Sequence, residues 1–445
     1  MTGLTGVSID ENLHNAMSNQ DNIGFQMYTL CCKLFPICRS ITGQGVRDTL
    51  KIINQVISNL KIFEIPSGTK FFDWDIPLEW NINDGYIVSP DGDKLCDFKK
   101  SNLHVLGYSI PVNKTLSLSE LQKHLYSLPD QPGLIPYVTS YYKKRWGFCI
   151  SHNKRHKLKE GIYRVFIDST LSDGSLTYGE YILKGELKQE ILISCYVCHP
   201  SLANNELSGP VVSTYLIKWL KKLKRRFTYR FVFIPETIGA IAYISKNLDI
   251  LKKNTIAGFN ITCIGDNNNY SYLASRDGNT LADRAAIHVL KHNFPDYKKY
   301  PYSEGRSDER HYCSPGVDLP VCSMMRTKYA SYPEYHTSAD NLDFISADGL
   351  YGGYSVMQNI IKLLENNRTY NSIFCCEPQL GKRGLYPNLS IRNSASSVRL
   401  LKNVLAYCDG ENSLLDIAEI LNVKFDLIVE EAKKLSDAHL IKPLN

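Results

Sequence analysis

The sequence predicts an α/β fold: a mixed, mostly parallel sheet with helices on both faces, plus a small inserted β-rich module and a separate C-terminal domain. Three observations carry this. Strand-like and helical runs alternate from about Phe148 to Asn366. Short aromatic and β-branched runs separated by Pro, Gly, Asn and Asp clusters fill Phe63 to Lys144. Three helical stretches follow Leu380. Strands alternating with helices imply βαβ units, in which ligands sit at the carboxyl ends of the strands.

Taken in order, Gly24 to Leu60 reads as helical, with a break at Arg39 to Gly45. Within the β-rich segment, Lys70 to Trp74, Gly85 to Val88, Leu103 to Pro111 and Ile135 to Tyr142 read as strands. Glu190 to Val197 is a largely apolar run of the kind buried in parallel sheets. A helix from Gly209 to Lys224 follows, with Val212, Tyr215, Leu216, Trp219, Leu220 and Leu223 on one face. Phe227 to Ile234, Thr255 to Ile264 and Leu319 to Met325 are further strands. Gly239 to Asn247, Asn279 to His292 and Ser346 to Glu365 are the intervening helices. The tail, with helical stretches at Ser397 to Cys408, Ser413 to Leu421 and Asp426 to Ser436, has the shape of a winged-helix module.

Composition narrows the class. With 445 residues, 43% hydrophobic and 22% charged, the chain can bury a large core and is not disordered. No apolar run approaches the ~18 residues of a membrane-spanning helix, so no membrane role is expected. Met1 to Phe25 lacks an apolar signal segment, and a cytoplasmic location is expected. Thirteen scattered cysteines then read as reduced thiols. Net charge is only +6, and the tail carries nine basic against eight acidic residues, so nucleic acid is not an expected partner. The tail is expected to dock a partner or to mediate homo-oligomerisation.

Cys195-Tyr-Val-Cys198-His199 matches the haem-attachment pattern formally. Its cysteines end a buried strand in a chain read as unexported, which excludes that use. His199 is the informative residue. Behind it come Asn204-Asn205-Glu206, the next strand ends at Glu236, and a later one leads to Tyr335-His336. Two imidazoles and two carboxylates at strand ends are nitrogen and oxygen ligands suited to zinc. A basic stretch, His152 to Lys159, reads as a solvated hairpin tip.

In this order the motifs resemble the zinc aminopeptidases of the phosphorylase/hydrolase-like fold. The whole chain is similar to a bacterial group of aminopeptidase-like proteins with an inserted β module and a winged-helix tail. Arg39-Ser-Ile-Thr-Gly, Pro77-Leu-Glu-Trp80, Tyr108-Ser-Ile-Pro-Val112, Cys198-His-Pro-Ser and Ser307-Asp-Glu-Arg310 carry the likeness. The resemblance implies an aminopeptidase-like domain over 20–62 and 145–370, an insert over 63–144 and a winged-helix-like domain over 380–445. It also marks departures. Asn205 stands at the position of a bridging Asp, Thr237 replaces the second acid of a Glu pair, and Thr262 replaces a strand-end Asp.

These departures imply one zinc rather than two, held by His199, His336 and a carboxylate that Glu206 can provide, with Asn205 as the neighbouring alternative. Glu236 falls at the general-base position. Asn205, Asp308, Arg310 and Tyr335 are expected to contact substrate. The expected activity is zinc-dependent hydrolysis of a peptide or amide bond, on a peptide or on a small-molecule or polysaccharide-pathway substrate. The alternative is a non-catalytic binding protein on a degenerate aminopeptidase fold.

Overall fold

The computed structural model describes residues 23–385 and 394–444. Residues 1–22 of the segment read as lacking a signal, which include the first residues of the 20–62 range, and residues 386–393 and 445 of the tail lie outside the described residues. Two compact units emerge, one from residues up to 283 with 297–355, the other from 284–296 with 356–445.

The first unit is built on an eight-stranded sheet. Its strands are β1 (Lys61–Pro66), β2 (Ser175–Leu183), β3 (Glu190–Tyr196), β4 (Thr228–Ile234), β5 (Thr255–Ile261), β6 (Ser271–Leu273), β7 (Lys298–Tyr300) and β8 (Val321–Met325), in the spatial order β1-β2-β4-β3-β5-β8-β6-β7. Strands β4, β3, β5 and β8 are parallel, with Ser194 of β3 opposite Val232 of β4 and Asn260 of β5. Every residue of β3 and β4 is buried, which explains their continuous apolar texture. Arg230 on β4 is held inside by the carboxylates of Glu190 at 2.6 Å and Glu180 at 2.7 Å. Helices α1 (Gln44–Ile57), α2 (Ser208–Leu220) and α3 (Ile238–Asn254) belong to the same unit. α1 buries Val46, Thr49, Leu50, Ile53 and Ile57, a spacing of three and four. α2 ends four residues before the expected Lys224, where the basic run begins, and α3 continues seven residues past Asn247, burying Leu251.

The inserted region differs from its expected outline. Phe63 to Pro66 sit in β1 and pair with β2 as an edge of the large sheet. The smaller, four-stranded antiparallel sheet joins Glu79–Val88, Lys94–Leu95 and Val112–Ser117 to Ile162–Ser172, which lies beyond Lys144. The physical reason is the partner: residues 162–172 alternate buried and exposed side chains against 79–88, and pairing across that distance leaves no local signal. Leu103–Pro111 and Ile135–Tyr142 contribute isolated bridges instead of strands. His152–Arg155 form a helical turn instead of a hairpin tip.

The second unit packs helices Ser394–Tyr407, Leu414–Leu421 and Phe425–Asp437 with a three-stranded sheet of Thr369–Ser372, Asp409–Ser413 and Ile441–Pro443. Ser413 and Asp416 cap the middle helix reciprocally. Arg284 donates to Asp416 and Glu419, each at 2.6 Å. No helix among the described residues is long and apolar enough to cross a membrane.

Candidate active site

Two adjacent strand ends and the turns around them deliver the chemistry. His199 follows β3 and is 3% exposed. The next turn, Ala203–Leu207, is a π-turn leading into α2 that buries Asn205 and Glu206. Asp340 shapes it by accepting from the backbone N–H groups of Asn204 (2.6 Å) and Asn205 (3.0 Å). Burial nevertheless pushes the Asp340 carboxyl up to about 6, against those hydrogen bonds.

Within this turn the two neighbours face different partners. Glu206 directs one oxygen to Nδ1 of His199 at 3.0 Å and the other to Nε of Arg39 at 3.3 Å. Arg39, fully buried, also donates to the His199 carbonyl at 2.9 Å and the Leu34 carbonyl at 2.8 Å. Asn205 donates to the Tyr196 hydroxyl at 2.5 Å and turns its amide oxygen to Nε2 of His336 at 3.1 Å. Glu206, the expected zinc carboxylate, thus lies against a guanidinium and bonds Nδ1 of His199. Burial pulls the His199 pKa down, but the bond and charge of Glu206 outweigh it and leave it raised.

Glu236 follows β4 and stays partly exposed. Its Oε2 lies 3.7 Å from His199 Nε2, and its Oε1 accepts from Ser307 Oγ at 2.6 Å. The backbone beneath it is strained. Thr237 has φ 64° and ψ −80°, and Ile238 N–H donates to the Glu236 carbonyl at 2.8 Å, closing a γ-turn around a β-branched residue. Asp308 holds that turn by accepting from Thr237 N–H at 2.8 Å. Burial raises the Glu236 carboxyl, opposed by His199 and Ser307. Burial and the nearby Glu236 drive Asp308 further up.

The remaining expected residues divide. Asp308 is fully buried, so its expected contact with substrate gives way to a structural one with Thr237. Arg310 is exposed and lies over the Tyr302 ring at 5.1 Å. Tyr335 stacks on His336 with ring centroids 3.9 Å apart. His336, at φ 56°, has its ring 5.4 Å from that of His199. Burial and the neighbouring His199 push its pKa down to about 3. Sequence reasoning missed Tyr137, whose ring lies 5.3 Å from His199 and 5.1 Å from His336 and whose N–H donates to the His336 carbonyl at 2.8 Å. It also missed the parts played by Ser307 and Arg39, although both stand in the motifs that carried the resemblance.

Two groups of donors could face a cation. Cys198, His199 Nδ1 and Glu206 lie within 4.8 Å of one another. Arg39 already supplies positive charge there, and burial raises the Cys198 thiol well above its ordinary value. The better donors are on the other side: His199 Nε2, His336 Nε2 and the Asn205 amide oxygen, with Glu236 alongside. Two imidazoles and a neutral oxygen are donors suited to such an ion, and Thr237 and Thr262 bring no carboxylate to it.

Comparison with known proteins agrees with this architecture. A Clostridium acetobutylicum protein, provisionally named as a polysaccharide biosynthesis protein with an aminopeptidase-like domain, is 45% identical over 434 residues, 97% of this chain and 99% of the relative. A crystal structure of a provisionally named peptidase from Clostridium acetobutylicum has TM-score 0.91 at 44% identity, covering 98% of this chain and 100% of that one. A zinc aminopeptidase from Bacillus subtilis shares the fold with TM-score 0.56 at 13% identity, over 76% of this chain and 94% of that one. An M28 peptidase precursor from Shewanella amazonensis does so with TM-score 0.53 at 14% identity, over 81% and 99%. Residues 368–443 match a winged helix-turn-helix family. Residues 28–367 match the family described as a domain of unknown function, DUF4910, and the chain belongs to it.

Proposed function

We propose that the chain is a metal-dependent amide hydrolase of aminopeptidase type, with one zinc ion held by His199, His336 and the Asn205 amide oxygen. The observation that carries this is the convergence of His199 Nε2 and Glu236 Oε2, 3.7 Å apart, at adjacent strand ends. A zinc ion there would supply Lewis acidity and lower the pKa of water toward ~7. Glu206 holds His199 by Nδ1 so that Nε2 faces Glu236. Glu236, oriented by Ser307 and by the γ-turn, takes a proton from the attacking water and passes it to the leaving amine. Tyr335 braces the His336 ring by stacking. The name of the 45% identical relative supports an amide borne on a saccharide precursor as the substrate class.

The test is metal analysis of the purified chain, followed by a panel of aminoacyl and acyl-amide sugar substrates with the wild type and Glu236→Gln. The variant should keep its zinc and lose about 10²–10⁴-fold in rate. Neutral Asn205 and Thr237 favour a second reading, a binding protein on a degenerate fold. That reading takes over if the wild type holds no zinc and turns over nothing in the panel.

A further inference from the structure

On the helical turn His152–Arg155, His152 is half-buried and His156, one turn on, is exposed. Their Nε2 atoms are 2.7 Å apart and their ring centroids 4.2 Å apart. Residues four apart lie on one face of a helical turn, so the two imidazoles meet through their Nε2 atoms. The His152 ring is fixed from behind: its Nδ1 is 3.0 Å from Ser127 Oγ. Ser127 Oγ in turn accepts from Arg155 Nη1 at 3.2 Å, and Arg155 is anchored by Nε to Gln122 at 2.7 Å. A histidine with one nitrogen bonded to an outer partner and the other directed at a second imidazole is oriented as a metal ligand is.

We propose that His152 and His156 form a surface site for one divalent transition-metal ion of the imidazole-preferring class, Ni²⁺, Cu²⁺ or Zn²⁺. The ion replaces the proton shared between the two Nε2 atoms. Ligands at about 2.0–2.1 Å from a common ion stand roughly 3 Å apart, which a small rotation of the exposed His156 ring provides. Ser127 then accepts from Nδ1–H of His152. Solvent completes the coordination. The neighbouring Lys154, Arg155, Lys157 and Lys159 repel a cation, although Lys159 is paired with Asp91 at 2.6 Å. Salt screens that repulsion, so affinity should rise with ionic strength, opposite to the behaviour of an acidic site.

The experiment is calorimetric titration of the full chain with Ni²⁺, alongside the electron paramagnetic resonance spectrum of one equivalent of Cu²⁺. Either His152→Ala or His156→Ala should weaken one Ni²⁺ site at least tenfold and remove the imidazole nitrogen signature of the corresponding Cu²⁺ signal. Asn153→Ala should change neither, and His199→Ala should leave this site intact. Unchanged Ni²⁺ titrations in both histidine variants, with circular dichroism showing intact folding, would overturn the proposal. So would affinity that falls with added salt.

Discussion

The backbone N–H of Thr237 donates to Oδ1 of Asp308 at 2.8 Å, across 71 residues of sequence. That bond secures a positive-φ turn at a β-branched residue, directly behind the carboxylate of Glu236. Asp308→Ala leaves a part-buried amide without its acceptor and should cost about 1 kcal/mol of stability. It should also lower the catalytic rate more than it raises KM, because Glu236 loses its aim. Thr237→Gly relieves backbone strain of roughly 1–3 kcal/mol and pays back about 0.5–1 kcal/mol in chain entropy. Its melting temperature should therefore equal or exceed that of the wild type; a fall of several degrees would show that the turn is unstrained.

Asn205 is the point at which metal affinity should be most tunable. Its amide oxygen is 3.1 Å from His336 Nε2, and a carboxylate of the same shape would add a negative charge beside the two imidazoles. Asn205→Asp should tighten zinc binding by at least tenfold in a chelator competition. Equal affinity in the two proteins would place the ion elsewhere.

Arg39 and Glu206 form a buried ion pair, and both side chains have no exposed area. Removing one partner strands the other charge, so Arg39→Met should destabilise the chain by about 3–5 kcal/mol in urea unfolding. The double variant Arg39→Met with Glu206→Gln should recover part of that loss. Additive losses would deny the coupling.

His288 gives the second unit a predictable acid response. Its Nε2 accepts from Phe425 N–H at 3.0 Å, so the ring must be neutral there, and burial, helped by His292, Lys291 and Arg284, lowers its pKa to about 4. The unfolded chain, near the ordinary value of 6.5, binds the proton first. Stability contributed by this residue is therefore complete above about pH 6.5 and is lost as pH falls toward 4, by at most about 1.4 kcal/mol per pH unit. His288→Gln, which keeps an acceptor and cannot titrate, should flatten the slope of stability against pH in that window. An unchanged slope would assign the acid response to other groups.

The sequence by itself determined the parallel core, because β3 and β4 are buried on both faces and read as unbroken apolar runs. His199 and Glu236 follow adjacent strand ends, which share one edge in such a sheet, whereas His336 comes from a turn eleven residues past β8. Only the tertiary structure decided what those residues touch. Asn205 and Glu206 are adjacent in sequence, yet the π-turn sends one toward His336 and the other toward Arg39, a divergence set by a local twist that residue type does not encode. Asp308 looks like a ligand-gripping acid until its burial under Thr237 is seen. Tyr137 carries no local signal, because it meets the two imidazoles only after a long-range bridge between Pro136 and Thr337 has formed. Periodicity and strand ends are properties of consecutive residues, whereas contacts between segments more than a hundred residues apart depend on packing the whole chain must complete.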